Sequence, residues 1–306
     1  MDGIVCKGIS KTYDGRNYAL KGVSLSFPSR GIIALIGRNG AGKTTLVRIL
    51  ATQLMPSGGK AYINGVDVVK EPARVRDMIA IVPQEARAIP WLSPYQTVFS
   101  YLLYRGFGYG EARKRVKEAL RKLGLGHQEN KLNRMLSGGT KRKVMVATVL
   151  SSGAKVIFLD EPTTGLDPIS RADLWNLLNA LKKEYLIFLT THYLEEAEHL
   201  ADRIGIIEEG RLLAIGSMDE LRKKVGHQYS IRVTQATRPK AFAGMRTTKI
   251  DGGHQLMTSE RKAFEITNRL VRERVRFSTN PISLEDIFYH FARRQITEEN
   301  GEGEEW

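Results

Sequence analysis

Gly37-Arg38-Asn39-Gly40-Ala41-Gly42-Lys43-Thr44 decides the reading of this 306-residue chain. The run has the form G-x-x-x-x-G-K-T, in which glycines let successive backbone N–H groups converge on phosphate oxygens. Its flanks supply what such a loop needs. Ile32-Ile33-Ala34-Leu35-Ile36 is a continuous apolar run, as in a parallel strand buried on both faces. From Thr44 to Leu54 the apolar residues Leu46, Val47, Ile49, Leu50 and Leu54 recur at helical spacing. A helix starting there points the positive end of its dipole at the phosphate site. In that arrangement Lys43 reaches the β- and γ-phosphates and the Thr44 hydroxyl holds Mg²⁺. The chain is expected to bind a nucleoside triphosphate.

Two more strand-like runs end in reactive side chains. Val156-Ile157-Phe158-Leu159 leads into Asp160-Glu161. A carboxylate at the C-terminal end of a central strand lies at the crevice where open α/β sheets bind ligands. Asp160 is then placed to hold Mg²⁺, and Glu161 to act as general base on a water. Leu186-Ile187-Phe188-Leu189-Thr190-Thr191 ends at His192. A lone histidine is more often structural, but this one follows a buried strand as Glu161 does, and is expected on the same sheet edge.

Composition is ordinary for a globular protein, with 42% hydrophobic and 26% charged residues. No apolar run approaches the ~18 residues of a membrane span. The start, Met1-Asp2-Gly3-Ile4, reads as having no secretory leader. The single cysteine, Cys6, allows neither an intrachain disulfide nor a zinc cluster. A cytosolic chain is expected, with any membrane role supplied by a partner. The net charge of +14 is uneven. Residues 105–143 hold Arg105, Arg113, Lys114, Arg115, Lys117, Arg121, Lys122, Lys131, Arg134, Lys141, Arg142 and Lys143, opposed only by Glu111, Glu118 and Glu129. Two readings stand: attraction to an anionic membrane or nucleic acid, or the solvated face of a helix over 111–123 whose apolar stripe is Ala112, Val116, Ala119, Leu120 and Leu123.

Taken in order, these residues resemble the nucleotide-binding subunit of an ATP-binding cassette (ABC) transporter over about residues 3–218. The resemblance assigns Tyr13, closing Val5–Tyr13, to stacking on adenine. It assigns Gly37, Arg38, Asn39, Gly40, Ala41, Gly42, Lys43, Thr44 and Thr45 to the phosphates, and Gln84 of Val82-Pro83-Gln84 to Mg²⁺ and water. Leu136-Ser137-Gly138-Gly139-Thr140 looks like the family signature, ending in Thr140 where Gln is commonest. Its Ser137, Gly138 and Gly139 would contact ATP held by a facing subunit. Asp160-Glu161 is the Walker B pair, Asp167 closes the D-loop Thr164-Gly165-Leu166-Asp167, and His192 is the switch histidine. Ser137 is also placed to cap a helix aimed at phosphate.

The implied architecture is α/β: a P-loop NTPase core with a mainly parallel sheet, an N-terminal antiparallel β layer and an inserted helical subdomain at about 85–150, all within residues 1–218. A small α+β C-terminal domain is expected at 219–297, with strands at Gln228–Thr234, near Gln255–Thr258 and near Lys262–Thr267. A helix capped by Ser283 would then present Leu284, Ile287, Phe288 and Phe291. This domain resembles that of the drug, lipid and polysaccharide exporter branch; dimer contact or regulation and simple stabilisation are both open. Residues 298–306 read as an acidic, disordered tail.

The function implied is an ATP-hydrolysing, Mg²⁺-dependent subunit that powers a membrane exporter by closing on ATP. It would pair with a second ATP-binding subunit, dock through Gln84–Pro94 on a transmembrane permease of a separate chain, sit on the cytosolic face of the membrane, and touch neither cargo nor nucleic acid. One rival is a soluble ABC ATPase acting on ribosomes or DNA, favoured by the basic charge. The single cassette and the short 45–135 interval oppose it. A non-hydrolysing scaffold is opposed by Glu161, His192 and Gln84.

Overall fold

The computed structural model describes residues 2–235, 237–250 and 252–299. The chain opens with long strands β1 (Asp2–Thr12) and β2 (Tyr18–Pro28), then β3 (Gly31–Ile36) and helix α1 (Lys43–Leu50). Strands β4 (Gly58–Ile63) and β5 (Val66–Asp67) follow, and α2 (Pro72–Met78) leads into β6 (Ile79–Val82). Three helices come next: α3 (Pro94–Tyr104), α4 (Tyr109–Lys122) and α5 (Gly138–Ser151). Then β7 (Val156–Asp160), α6 (Pro168–Leu181), β8 (Leu186–Thr191), α7 (Leu194–Leu200), β9 (Arg203–Glu208) and β10 (Arg211–Gly216) alternate.

These strands form two sheets. An antiparallel layer runs β2-β1-β4-β5, and a six-stranded sheet runs β10-β9-β3-β8-β7-β6. The pairings from β9 through β3, β8 and β7 to β6 are all parallel. Their sequences explain why. β7 and β8 are buried at every position, so both faces must be covered, which parallel sheets achieve with flanking helices. Phe188 of β8 meets Phe27 of β2 edge-on at 6.0 Å and Phe158 of β7 at 5.6 Å, joining the two sheets through one aromatic core. Register then sets the functional edge: Ile36 lies level with Thr191, and Asp160 with Thr190. The residues just past these strand ends therefore emerge together.

The expected fold class is what the chain adopts, including the inserted helices. The chain divides into compact units Met1–Leu212 and Leu213–Trp306, the division falling within β10. The second unit continues with α8 (Met218–Val225), β11 (Tyr229–Val233), β12 (Thr248–Ile250), β13 (Gly253–Thr258), α9 (Glu260–Arg272), β14 (Phe277–Pro281) and α10 (Leu284–Glu299). Its strands form an antiparallel sheet, β12-β13-β11-β14, over Ile231, Val233, Phe242, Leu256, Ile266 and Leu270. One expectation is corrected here. Lys262–Thr267 is not a strand but part of α9, because Ala263, Ile266 and Leu270 are buried at helical spacing. Ser283 caps α10 as expected, its hydroxyl accepting from Asp286 N at 3.2 Å, and Leu284, Ile287 and Phe288 are buried. Glu298 and Glu299 of the expected tail belong to this helix, and residues 300–306 lie outside the described residues.

Candidate functional site

The loop Gly37–Thr44 leaves β3 and enters α1 in a space that admits no side chain at two points. A β-carbon on Gly37 would stand 2.2 Å from Ile207 O, and one on Gly42 would stand 2.5 Å from Ala19 O. Gly42 also has φ 106°, a conformation that glycine alone adopts cheaply. Lys43 folds back into the loop, its Nζ donating to Gly37 O at 2.8 Å and Arg38 O at 3.0 Å. Burial pulls this ammonium below its ordinary pKa, opposed by the charges of Glu161, Asp160 and Glu208. Arg38 leans toward Glu208 at 3.6 Å. Tyr13 stands two-thirds exposed, its hydroxyl 3.3 Å from Thr45 Oγ1 and its ring 5.4 Å from Lys11 Nζ.

The ends of β6, β7 and β8 meet α1 here. Thr44 Oγ1 donates to Asp160 Oδ2 at 3.0 Å, and the Thr190 hydroxyl donates to Asp160 Oδ1. Glu161 is buried at left-handed φ 49°, its N–H tied to Thr190 O at 3.1 Å and facing Thr190 Oγ1 at 3.2 Å. Its Oε2 accepts from Gln84 Nε2 at 3.0 Å and from Thr164 Oγ1 at 3.1 Å. His192 Nδ1 lies 3.1 Å from the same oxygen, at ion-pair distance but not aligned for a hydrogen bond. Lys43 Nζ stands 3.9 Å from Oε1. Lys43, Thr44, Gln84, Asp160, Glu161 and His192, predicted from four separate stretches of sequence, thus share one cluster.

Such a cluster suits phosphate chemistry. No group of three or more His, Cys, Asp or Glu side chains forms a metal cage among the described residues. Thr44 Oγ1 and Asp160 Oδ2 are a sparse pair of hard oxygens. That donor set fits Mg²⁺, which keeps waters and takes further ligands from substrate phosphates.

Ser137, Gly138 and Gly139 form a second group. Ser137 caps α5, its Oγ accepting from Thr140 N at 3.2 Å and lying 2.9 Å from Thr140 Oγ1. Gly139 packs so closely that a β-carbon would stand 2.5 Å from Ser170 Oγ. Asp167 caps α6, accepting from Ser170 N at 2.9 Å, and its bonds with Ser170 hold its carboxyl below the usual range. Among the described residues no hydrogen bond joins Ser137 to the Gly37–Thr44 loop.

Two contributors escaped the sequence reading. Thr190 ends an apolar run, so its hydroxyl carried no signal beyond a polar residue at a strand end. Arg142 lies in the basic stretch 105–143, which reads either as a surface for an anionic partner or as solvated charge. Its guanidinium instead donates to Pro162 O at 2.7 Å, Glu161 O at 3.0 Å, Asp160 O at 3.3 Å and Ala86 O at 3.5 Å. One side chain of α5 thereby grips the backbone of Asp160 and Glu161 and the segment after Gln84.

Residues 20–164 match the family model described as ABC transporter. The chain is similar to the daunorubicin/doxorubicin resistance ATP-binding protein DrrA of Streptomyces peucetius, 38% identical over 224 residues that cover 73% of this chain and 68% of that protein. It is similar in structure to cbiO1 of Clostridium perfringens, part of the ABC transporter complex cbiONQ, with TM-score 0.65, 30% identity, and 74% of this chain and 95% of that one covered. A dimeric ATP-binding cassette solved in a post-hydrolysis state with ADP and Pi gives TM-score 0.62 and 27% identity over 70% of this chain and 98% of that one. Identity of this level, held across more than two thirds of a relative's length, shows that the chain belongs to the ABC transporter family.

Proposed function

We propose that this chain is the ATPase of an exporter, and that Glu161 is its general base. The observation carrying the proposal is the convergence on one Glu161 oxygen of Gln84, Thr164 and His192, with Lys43 beside the other oxygen. Such a carboxylate is held at a fixed point and is free to take a proton from a water aimed at the γ-phosphate. Lys43 and the N–H groups of Arg38, Asn39, Gly40, Ala41, Gly42, Thr44 and Thr45 would cradle the phosphates, with Tyr13 against the base. Mg²⁺, held by Thr44, Asp160 and Gln84, would neutralise charge developing on the phosphates. His192 and Gln84 orient the water through their shared contact with Glu161.

Ser137, Gly138, Gly139 and Asp167 are assigned to a facing copy's nucleotide. What supports this is their separation from the phosphate cluster, together with the dimeric state of the solved cassette described above. ATP-driven closure of the pair, reversed after hydrolysis, would drive a membrane partner between two shapes. The partner is placed on Gln84–Pro94, between β6 and α3, where Trp91 is 71% and Ile89 42% exposed. No helix among the described residues is long and apolar enough to cross a membrane, so a separate permease would bring the chain to the cytosolic face. The drug-resistance name of the relative supports export as the direction. Affinity capture from detergent-solubilised membranes of the native cell should recover a stoichiometric multi-span protein. Recovery only with ribosomes or DNA would overturn the transport reading and leave the ATPase chemistry standing.

Arg142 is the positioning residue of this scheme. Arg142→Met keeps the aliphatic stem and removes the guanidinium from all four carbonyls, leaving Glu161 O only the Thr164 N–H. Turnover should fall roughly ten- to hundredfold, because a misplacement of about 1 Å is costly in a reacting geometry. ATP affinity in equilibrium titration should stay nearly constant; an equal loss in both would show a general folding defect instead.

A further inference from the structure

We propose that the corner joining α3 to α4, with the cationic row that follows it, docks on the headgroup phosphates of an anionic lipid bilayer. The contact uses no residue of the nucleotide site and none of Gln84–Pro94.

Helix α4 carries six basic residues, and the ion pairs sort them. Arg115 is paired with Glu111 at 2.9 Å, lies over the Phe107 ring at 4.6 Å, and donates to Ser151 O. Lys122 is paired with Glu184 at 2.7 Å. Arg113, Lys114, Lys117 and Arg121 are exposed and have no ion-pair partner among the described residues. At about 100° per residue these four fall within ~100° of the helix circumference, and both carboxylates of the helix, Glu111 and Glu118, fall outside that arc. The row is therefore cationic as a surface, not merely as a composition.

An aromatic and apolar edge adjoins it. Tyr109 heads the row, one turn before Arg113, whose guanidinium lies 5.4 Å from its ring centre. Phe99 stacks on Tyr95 of its own helix at 5.8 Å and meets Tyr109 edge-on at 5.0 Å, the second contact fixing α3 against α4. At the corner itself Tyr104 is 89% exposed, with Leu103 also exposed beside it. Tyr95, Arg113, Lys114, Lys117, Glu129 and Asn130 line a groove of about 460 Å³, where three cations meet one carboxylate.

This combination fits a bilayer. Tyrosine rings settle at headgroup level, with the hydroxyl wet and the ring in the acyl boundary. Basic side chains near an anionic leaflet each add attraction that falls off within a Debye length. A nucleic acid would use the cations but gains nothing from burying Leu103. Such a face would orient the cassette on the membrane that holds its partner.

The test is flotation of the full chain with vesicles of phosphatidylcholine alone or mixed with phosphatidylglycerol. The chain should float with the mixed vesicles only, and added salt should release it. Combined Arg113→Glu, Lys117→Glu and Arg121→Glu should weaken partition by about two orders of magnitude. A matched reversal at exposed sites elsewhere (Arg30→Glu, Lys60→Glu, Lys70→Glu) should leave partition nearly unchanged. An unaltered thermal unfolding midpoint certifies the fold of each variant. Tyr104→Ser, at a site with no packing to lose, should weaken partition several-fold and keeps the proposal testable if the triple variant does not fold. Equal flotation with neutral vesicles, no flotation at all, or equal losses in the row and distant variants would overturn the proposal. So would tighter, row-dependent binding of a short RNA, which would make the face a nucleic-acid surface.

Discussion

Replacing Glu161 with glutamine is expected to stop turnover while ATP stays bound. The amide is nearly isosteric, so its oxygen can still accept from Gln84 and Thr164 while its NH₂ group turns to the Lys43 side. The backbone at φ 49° keeps its tie to Thr190, so the site does not collapse. What is lost is the ability to take a proton, and general bases of this kind contribute about 10²–10⁴-fold to rate. Steady-state phosphate release should drop by that factor, with ATP affinity within a few-fold of the parent. Because hydrolysis would no longer reopen the pair, size-exclusion chromatography in ATP should show a dimer that the parent chain forms only transiently. An unchanged rate would remove Glu161 from the base role, and the Gln84–His192 pair would then need another carboxylate to serve.

Much of this site was legible because its parts follow local rules. A glycine-rich loop between an apolar run and a helical run has one structural solution, and buried parallel strands must end level at one edge. That is why Asp160 and Glu161 from one stretch and His192 from another could be placed together. The helix caps Ser137 and Ser283 were legible for the same reason, a short polar residue ahead of a periodic run. Where the sequence misled, the information was tertiary. Lys262–Thr267 mixes polar and apolar residues over too short a window to separate a period of two from one of 3.6. Only the burial of Leu270, one turn further on, settles it as helix. The edge strands β12 and β14 were missed because neither has a fully buried position to mark it. Arg142 is the sharpest case. Its charge resembles that of its neighbours Lys141 and Lys143, and only the fold brings four backbone carbonyls to its guanidinium.

Lys43→Ala should fail in the opposite way, by losing ATP itself. The Lys43 ammonium is buried, drawn below its ordinary pKa by desolvation, and held in place by two loop carbonyls and the carboxylates opposite. A cation already stripped of water needs little reorganisation to meet an incoming phosphate, so its removal is costly. Truncating one partner of a buried charge pair typically costs roughly 2–5 kcal/mol, which is on the order of a hundredfold or more in affinity. Equilibrium titration with ATP should show that loss. The substitution takes the ammonium donor from Gly37 O and from Arg38 O, which keeps the Ala41 N–H, and it also empties the space of the stem, so Lys43→Met, which keeps the stem without the charge, separates that cavity from the lost ammonium. If both variants lose affinity alike, the ammonium is what binds phosphate. If Lys43→Met binds normally, the lysine serves only to shape the loop, and the backbone N–H groups hold the phosphates alone. The pairing with Glu161→Gln makes the assignment strict: one variant must bind without turning over and the other must not bind, and a chain in which both lost affinity equally would not have its base and its phosphate anchor where this cluster puts them.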